Sequence, residues 1–411
     1  MVLPALNSAS VKAALLPNVK VCDATEDGKR AFARPKKFFL LNCLLGAHFL
    51  FFTLPPQFCC MNKTKIAGIG KYIPERVVTN DDLTQVMDTN DAWIQERTGI
   101  KERHYAVPYK ETSTTMGVKA AEIAIERAGI TAQDIDFVIF ATLSPDYYFP
   151  GCGVLLQRTM NMREIGALDI RNQCSGFIYS ISIADQFIKT GMYKNILVVG
   201  AEVHSFGLDF STTGRNVSVI FGDGAGAVVL QPADKEGQGI LSTHLHSDGN
   251  GAELLSMMNP GFHGGIYLAE DKQQPEHSTQ LFGGLFISPE EKAAHDFYPN
   301  MDGQSVFKKA VEKFPEVIME ALATSGLQPS DIDILIPHQA NLRISQFVQH
   351  KLKLRDDQVH NNIQQYGNTT AASIPIALCE AWELGKVKEG DLVCLAAFGS
   401  GFTWGSALLR W

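Results

Sequence analysis

The chain has 411 residues, 45% of them apolar and 19% charged, the composition of a soluble globular protein long enough for two or three domain-sized units. Net charge is −8, and because the first 60 residues hold seven Lys/Arg against three Asp/Glu, the rest of the chain carries −12; so acidic a body argues against non-specific nucleic-acid binding. The eight cysteines fall four in the first 60 residues (Cys22, Cys43, Cys59, Cys60) and four beyond (Cys152, Cys174, Cys379, Cys394), without a C-x-x-C, a disulfide-scaffold spacing or a zinc spacing, so a reduced, cytoplasmic setting is expected.

Residues 1–61 read as an N-terminal extension. After Arg34-Pro-Lys-Lys37 comes an apolar run of 17 residues, Phe38 to Leu54, at the short limit for a membrane span. Its basic flank suits a targeting segment, but no small-x-small cleavage site follows. An anchor or targeting segment, an ordered extra element, and upstream sequence joined to a chain that starts at Met61 all stay open. The last fits best with a reduced-thiol protein following without a linker, and membrane contact is expected only if 38–54 is a real anchor.

From Lys65 onward, short apolar strands alternate with amphipathic helices. Ile66–Gly70 reads as a strand, Thr114–Ala128 as a helix, Phe137–Thr142 as a buried strand, and Leu168–Ile170 as the end of another. Cys174–Lys189 is apolar nearly all round, as expected of a central buried helix, and Ile196–Gly200 is a further strand. Residues 256–303, rich in Gly, Pro and His, read mostly as a long loop. The order then repeats: helix Val306–Thr324, strand Ile332–Ile336, helices Ala340–Leu352 and Ala371–Leu384, strand Leu392–Ala396. Such alternation implies an α/β layered architecture, with halves at 62–235 and 236–411.

The halves are an internal duplication. Ala128 to Phe140 reappears as Ser325 to Pro337, an offset of 197, and the stretch from Cys174 to Gly200 aligns with that from Asn368, an offset of 194. Cys174 and Asn368 are therefore pseudo-symmetric mates, and facing halves would bring both towards His338, which follows the second repeat motif. Cys174 follows a strand and opens a helix, where backbone N–H groups and the helix dipole favour a thiolate nucleophile. His338 sits at the carboxyl end of a strand, where α/β folds place sites. Asn368 supplies an amide donor; alone it would pass as a helix cap.

Four stretches in order, Asn172-Gln-Cys-Ser-Gly-Phe177, Pro337-His-Gln-Ala-Asn-Leu-Arg343, Tyr366-Gly-Asn-Thr-Thr-Ala-Ala-Ser373 and Phe398-Gly-Ser-Gly-Phe-Thr-Trp-Gly405, resemble the nucleophile, histidine, asparagine and C-terminal glycine-loop motifs of the β-ketoacyl-acyl carrier protein synthase III family of the thiolase fold. The resemblance runs over almost everything from Asn62 to Trp411. It implies two pseudo-symmetric halves stacked as α/β/α/β/α layers, a homodimer, and a decarboxylating Claisen condensation of a short acyl-CoA primer with malonyl-acyl carrier protein, initiating type II fatty-acid synthesis. No cofactor or metal is implied. Cys174 would carry the acyl group, His338 and Asn368 would donate to the enolate left by decarboxylation, and the backbone N–H groups of Cys174 and Ser400 would form an oxyanion hole. Many relatives have glycine where Ser400 stands, a change that a backbone donor tolerates. Carried over by motif, Trp93, Arg97, Arg215 and Asn341 contact coenzyme A. Gln339, Ala340, Asn341, Leu342 and Arg343, with Lys308 and Lys351 and nearby Lys353, form a basic patch for an acidic carrier protein. Phe149 sits where family members send a residue across the dimer interface to close the partner's acyl pocket.

Rival readings remain on the sequence alone: a specialised ketosynthase III-like enzyme priming a secondary lipid or polyketide pathway, and a non-catalytic carrier-protein-binding partner. A degradative thiolase would need a second cysteine in Phe398-Gly-Ser-Gly401, and a chain-elongating ketosynthase a histidine at Asn368. Gly222-Asp-Gly-Ala-Gly226 lies between two apolar runs and reads as a hairpin-like turn rather than a dinucleotide loop. His244-x-His246, on an expected strand, has no third metal ligand at recognisable spacing.

Overall fold

The computed structural model describes residues 63–260 and 297–411; the extension with its apolar run, four of the cysteines, and most of the 256–303 segment lie outside the described residues. The strands, in chain order, are β1 (Thr64–Tyr72), β2 (Arg76–Thr79), β3 (Glu102–Tyr105), β4 (Phe137–Ala141), β5 (Gly166–Ile170), β6 (Ile196–Glu202), β7 (Gly224–Pro232), β8 (Gly239–Ser247), β9 (Leu255–Ser256), β10 (Asn300–Met301), β11 (Ile334–Pro337), β12 (Leu392–Gly399) and β13 (Thr403–Arg410). The helices are α1 (Asn80–Leu83), α2 (Asp91–Thr98), α3 (Ser113–Arg127), α4 (Cys152–Thr159), α5 (Gly176–Lys189), α6 (Arg215–Ser218), α7 (Gly303–Ser325), α8 (Leu342–Leu352), α9 (Ile363–Tyr366) and α10 (Ser373–Glu383).

Two mixed sheets form the frame. One has the order β1-β7-β6-β4-β5 and the other β11-β12-β13-β8, and the duplication maps β1, β7, β6 and β4 onto β8, β13, β12 and β11. Among the described residues the second sheet has no strand matching β5; an isolated bridge from Val359 to Leu335 stands there. Strands β6 and β12 are buried at every position, which is why they read as unbroken apolar runs rather than alternating ones.

Helices α5 and α10 lie between the sheets. α5 packs on strands of both, and α10 on β1, β7 and β11, while α3 covers the outer face of the first sheet and α7 that of the second. One core runs through the middle layer, joining Ile139, Val198 and Val228 of the first sheet to Phe177, Ile181 and Leu378 of the helices and Val393 and Leu395 of the second sheet. This is the α/β/α/β/α stack expected of a thiolase-like fold. The middle helices are apolar nearly all round because both their faces meet a sheet.

Three readings shift. The end of the long loop-like segment is ordered: β10 pairs antiparallel with β9, and α7 starts at Gly303, with the Asp302 side chain accepting from Ser305 N–H. Gly222–Gly226 is not a hairpin turn, since the run before it ends a short helix, Phe221 bridges Asn368, and β7 begins only at Gly224. Thirdly, the glycine loop Phe398–Gly405 spans the connection of an antiparallel pair, β12 to β13. Among the described residues no helix is long and apolar enough to cross a membrane.

Candidate active site

Cys174 sits in a 3-10 turn, Gln173–Ser175, that runs straight into the buried helix α5. The residue before it, Gln173, has φ +44°, and the residue before its mate Asn368, Gly367, has φ +64°. The duplicated turn thus demands a left-handed residue in both halves. Glycine meets that demand at little steric cost in the second half, whereas Gln173 holds it under strain. The Cys174 turn packs against the Thr370–Ala372 turn of the other half.

The sulfur lies against the end of β12. A Cβ on Gly399 would stand 2.6 Å from Cys174 Cβ and 3.1 Å from Sγ, so only glycine lets the strand come this close. The backbone N–H groups of Cys174 and Ser400 both reach the sulfur. Ser400 is held on two sides: its hydroxyl donates to Leu255 C=O, and its carbonyl accepts from Thr403 Oγ1 at 3.1 Å, with Thr403 Oγ1 also 2.7 Å from Ser175 Oγ. Burial, reinforced by the nearby Glu202, pushes the thiol up to about 12, although the two backbone donors pull the other way. The thiolate expected from the helix start is therefore not the resting state. In a closed, dry site the cost of desolvating the anion outweighs the donors.

His338 follows β11, its N–H bonded to Ala396 C=O at 2.8 Å. Its Nδ1 lies 2.6 Å from Ser373 Oγ, the first residue of α10. Ser373 Oγ also accepts from Gln339 N–H at 3.4 Å, and its own hydroxyl proton is free to donate to Nδ1, the arrangement that leaves the ring proton on Nε2. That Nε2 is buried, with no hydrogen-bond partner among the described residues. Burial drives the imidazole down to about 3, so it is neutral. Asn368 is fixed from both ends: its N–H donates to Ile220 C=O at 2.9 Å, its C=O accepts from Gly222 N–H at 3.1 Å, and its Oδ1 accepts from Thr370 N–H at 2.8 Å. The side-chain NH2 is then the group left to donate. Cys174, His338 and Asn368 are so joined through one run of contacts, the 173–175 turn on the 370–372 turn and Ser373 on His338.

A cavity of about 490 Å³ lies beside this cluster, lined among others by Trp93, Arg97, Asn216, Ile220, Met301, Asn341 and Arg343. Ile220, whose carbonyl holds Asn368, links the cavity to the site. Two guanidinium groups approach the Trp93 ring, Arg97 at 4.4 Å and Arg215 at 5.4 Å from its centroid. Asn341 caps α8 and donates to Arg97 C=O at 2.8 Å.

Not every residue of the expected carrier-protein patch reaches the surface. Gln339 is only 3% exposed; its Nε2 donates to Pro337 C=O at 2.6 Å and its Oε1 accepts from Asn362 N–H at 3.0 Å. It braces backbone and cannot meet a docking protein, which corrects its assignment. Ala340 and Leu342 are partly buried against apolar clusters, whereas Lys308, Arg343, Lys351 and Lys353 are exposed. Phe149 is 80% exposed.

Sequence reasoning passed over Ser373, Glu202 and His204. Glu202 closes the all-apolar strand β6, itself a signal. Its carboxylate accepts from Thr142 Oγ1 at 3.1 Å, Ser144 Oγ at 2.5 Å and the N–H groups of Leu143 and Ser144, yet burial still lifts it to about 7. His244 and His246 do lie on a strand, β8, and both address Glu320 of α7, at 3.3 and 2.6 Å. Among the described residues no cluster fit for a metal ion is found.

Residues 168–249 match the family model described as 3-oxoacyl-[acyl-carrier-protein (ACP)] synthase III, and residues 322–411 match its C-terminal counterpart. The β-ketoacyl-[acyl-carrier-protein] synthase III of Rhodospirillum centenum is 45% identical over 352 residues, covering 85% of this chain and 99% of that protein. That of Caldanaerobacter subterraneus is 42% identical over 84% of this chain and 97% of its own length. Among solved structures, the Aquifex aeolicus 3-oxoacyl-[acyl-carrier-protein] synthase III superposes with a TM-score of 0.74 at 41% identity, over 85% of this chain and all of the other. The priming β-ketosynthase of the R1128 polyketide pathway gives 0.73 at 30% identity, over 85% and 97%.

Proposed function

The chain belongs to the β-ketoacyl-[acyl-carrier-protein] synthase III family, an acyl-transferring condensing enzyme of fatty-acid biosynthesis, and on that premise we propose how its own residues carry the initiating condensation. Cys174 attacks the carbonyl of a short acyl-CoA such as acetyl-CoA; the acyl–sulfur bond to coenzyme A breaks, and the thiol proton leaves with the coenzyme A sulfur. Malonyl-acyl carrier protein then loses carbon dioxide, and its enolate oxygen accepts hydrogen bonds from His338 Nε2 and Asn368 Nδ2. The enolate carbon attacks the acyl-Cys174 carbonyl, a carbon–carbon bond forms, and the Cys174 sulfur is released as a thiolate that takes a proton from solvent to restore the resting thiol.

The observation that carries this reading is two donor sets: the backbone N–H groups of Cys174 and Ser400 that favour the Cys174 anion, and a neutral imidazole whose buried Nε2 has no partner among the described residues. A thiol that rests protonated is unreactive towards adventitious electrophiles, and the donors supply stabilisation once negative charge appears on a bound thioester. The reaction so written draws on no metal or cofactor. Trp93 with Arg97 and Arg215 beside it suits the adenine and phosphates of coenzyme A, with Asn341 at the same cavity. The exposed Lys308, Arg343, Lys351 and Lys353 suit an acidic carrier protein. A homodimer, with exposed Phe149 closing the partner's acyl pocket, and a cytoplasmic location complete the proposal. Curated relatives named synthase III, 42–45% identical over 84–85% of this chain, favour fatty-acid initiation over a specialised pathway.

The test is to incubate the full chain with a panel of acyl-CoA primers and malonyl-acyl carrier protein, measuring β-ketoacyl product alongside the mass of the Cys174 peptide. Product from acetyl-CoA with an acyl mass on Cys174 is expected. Asn368→Ala should keep the acyl mass and lose condensation by roughly a hundredfold to a thousandfold. Acylation of the wild-type chain without condensation would overturn the initiating role, and no acylation at all would revive a non-catalytic partner.

A further inference from the structure

His204 is a buried histidine that the reaction, as derived, does not use. Its Nε2 lies 2.6 Å from Thr370 Oγ1, and Thr370 is the residue whose N–H fixes Asn368 Oδ1 at 2.8 Å. On its flat side the imidazole lies against Phe221, with ring centroids 4.6 Å apart and planes 35° from parallel. Phe221 bridges Asn368 through the backbone, and the next residue, Gly222, donates to Asn368 C=O. One imidazole therefore touches both segments that hold Asn368.

An independent observation concerns Thr370 itself, which has φ +50°. A β-branched residue in the left-handed region is a genuine outlier and persists only where its surroundings over-determine it. The hydroxyl contact to His204 is such a constraint. His204 is in turn anchored by its own N–H on Asp223 Oδ1 at 2.7 Å, and Asp223 also accepts from Ser205 N–H and Oγ and from Ala106 N–H. Burial keeps the imidazole neutral, so the ring can serve Thr370 without bringing a charge beside the enolate.

We propose that His204 is a positioning residue for the condensing half of the reaction: it holds Thr370 so that Asn368 Oδ1 is occupied and Asn368 Nδ2 is the group turned to the enolate oxygen. The inference rests on the role given above to Asn368. It predicts a split between half-reactions, because Cys174 acylation uses the backbone donors of Cys174 and Ser400 and not Asn368.

The experiment compares the full chain with His204→Ala, His204→Gln and Thr370→Val, measuring acetyl transfer from acetyl-CoA to Cys174 separately from decarboxylation of malonyl-acyl carrier protein, with thermal melts alongside. His204→Ala and Thr370→Val are each expected to leave acetyl transfer within about twofold while slowing decarboxylation by about tenfold, part of the hundredfold or more that loss of a whole donor costs. The double variant should be no slower than either single one, since both break one link. His204→Gln, which can put an amide where Nε2 stood, should recover most of the rate. Equal losses in both half-reactions, no loss in either, or additive losses in the double variant would overturn the assignment. Should His204→Ala fail to fold, Thr370→Val and His204→Gln still decide it. If the wild-type chain itself neither takes up acetyl nor decarboxylates, it is the proposed function that fails; if the wild type is active and the split is missing, only the role of His204 fails.

Discussion

Replacing Gly399 by alanine tests whether the close approach of β12 to the nucleophile sets the rate of acyl transfer. The added methyl would lie 2.6 Å from Cys174 Cβ, 3.1 Å from Sγ and 3.2 Å from Cys174 N, whereas non-bonded carbons settle at roughly 3.5–4.0 Å. Strand and turn must part by about 1 Å, and the next residue along the strand is Ser400, whose N–H reaches the sulfur. Misplacing a catalytic group by about 1 Å costs on the order of a hundredfold, while overpacking costs about 1–3 kcal/mol of stability. Gly399→Ala should therefore remain folded and transfer acetyl to Cys174 about a hundredfold more slowly, as read by the rate of mass gain on the Cys174 peptide. Gly207→Ala, where an added Cβ meets nothing within 4 Å, is the control and should match the wild type. A folded Gly399→Ala variant that acylates within threefold of the wild-type rate would refute the argument.

Because burial pushes the Cys174 thiol up to about 12, alkylation by iodoacetamide should still be accelerating at pH 10; a plateau near pH 7 would mean a resting thiolate. Glu202 is lifted to about 7 from 4.5, so the fold binds its proton more tightly than the unfolded chain does. Its contribution to stability is full below about pH 4.5 and fades as pH rises through 7, a change of about 3 kcal/mol. The difference in urea midpoint between wild type and Glu202→Gln, followed from pH 4.5 to 7.5, should show that trend, and a flat difference would contradict it. Trp93→Ala removes the ring that Arg97 and Arg215 approach; KM for acetyl-CoA should rise about 5- to 30-fold, from about 1–2 kcal/mol of stacking and cation–π contact, with kcat within twofold. A fall in kcat with KM unmoved would place Trp93 in the chemistry instead of at the coenzyme-sized cavity.

Much of the fold and of the site is legible in the sequence. Strands β4, β6, β11 and β12 declare themselves as apolar runs because each belongs to a sheet covered on both faces. Cys174 and Asn368 declare themselves as mates because duplication preserves the turn before each central helix, down to its left-handed residue. What stays hidden depends on distances between residues far apart in the chain. Gln339 sits in a motif with surface-seeking neighbours, but its amide is drawn inwards by the backbone at Asn362, which no local pattern announces. The hairpin reading of Gly222–Gly226 fails because apolar residues before it pack as a helix end and a bridge from Phe221 to Asn368, 147 positions on. The protonated thiol escapes for a related reason: the helix start is local and visible, whereas desolvation is summed over everything that closes the site.

The two sheets also differ in when they can be made. Every strand of the first, β1, β4, β5, β6 and β7, comes from residues 64–232, so it can assemble while the second half is still being synthesised. Strand β8, by contrast, pairs with β13, the last strand of the chain, across a separation of more than 150 residues. Such non-local pairing is slow to form and leaves an edge open in the meantime. Gly399 and Ser400 arrive on the same closing hairpin. The sulfur thus meets the Ser400 N–H only after the second half has been made, and a chain cut before Thr403 carries Cys174 without the hairpin that holds that donor.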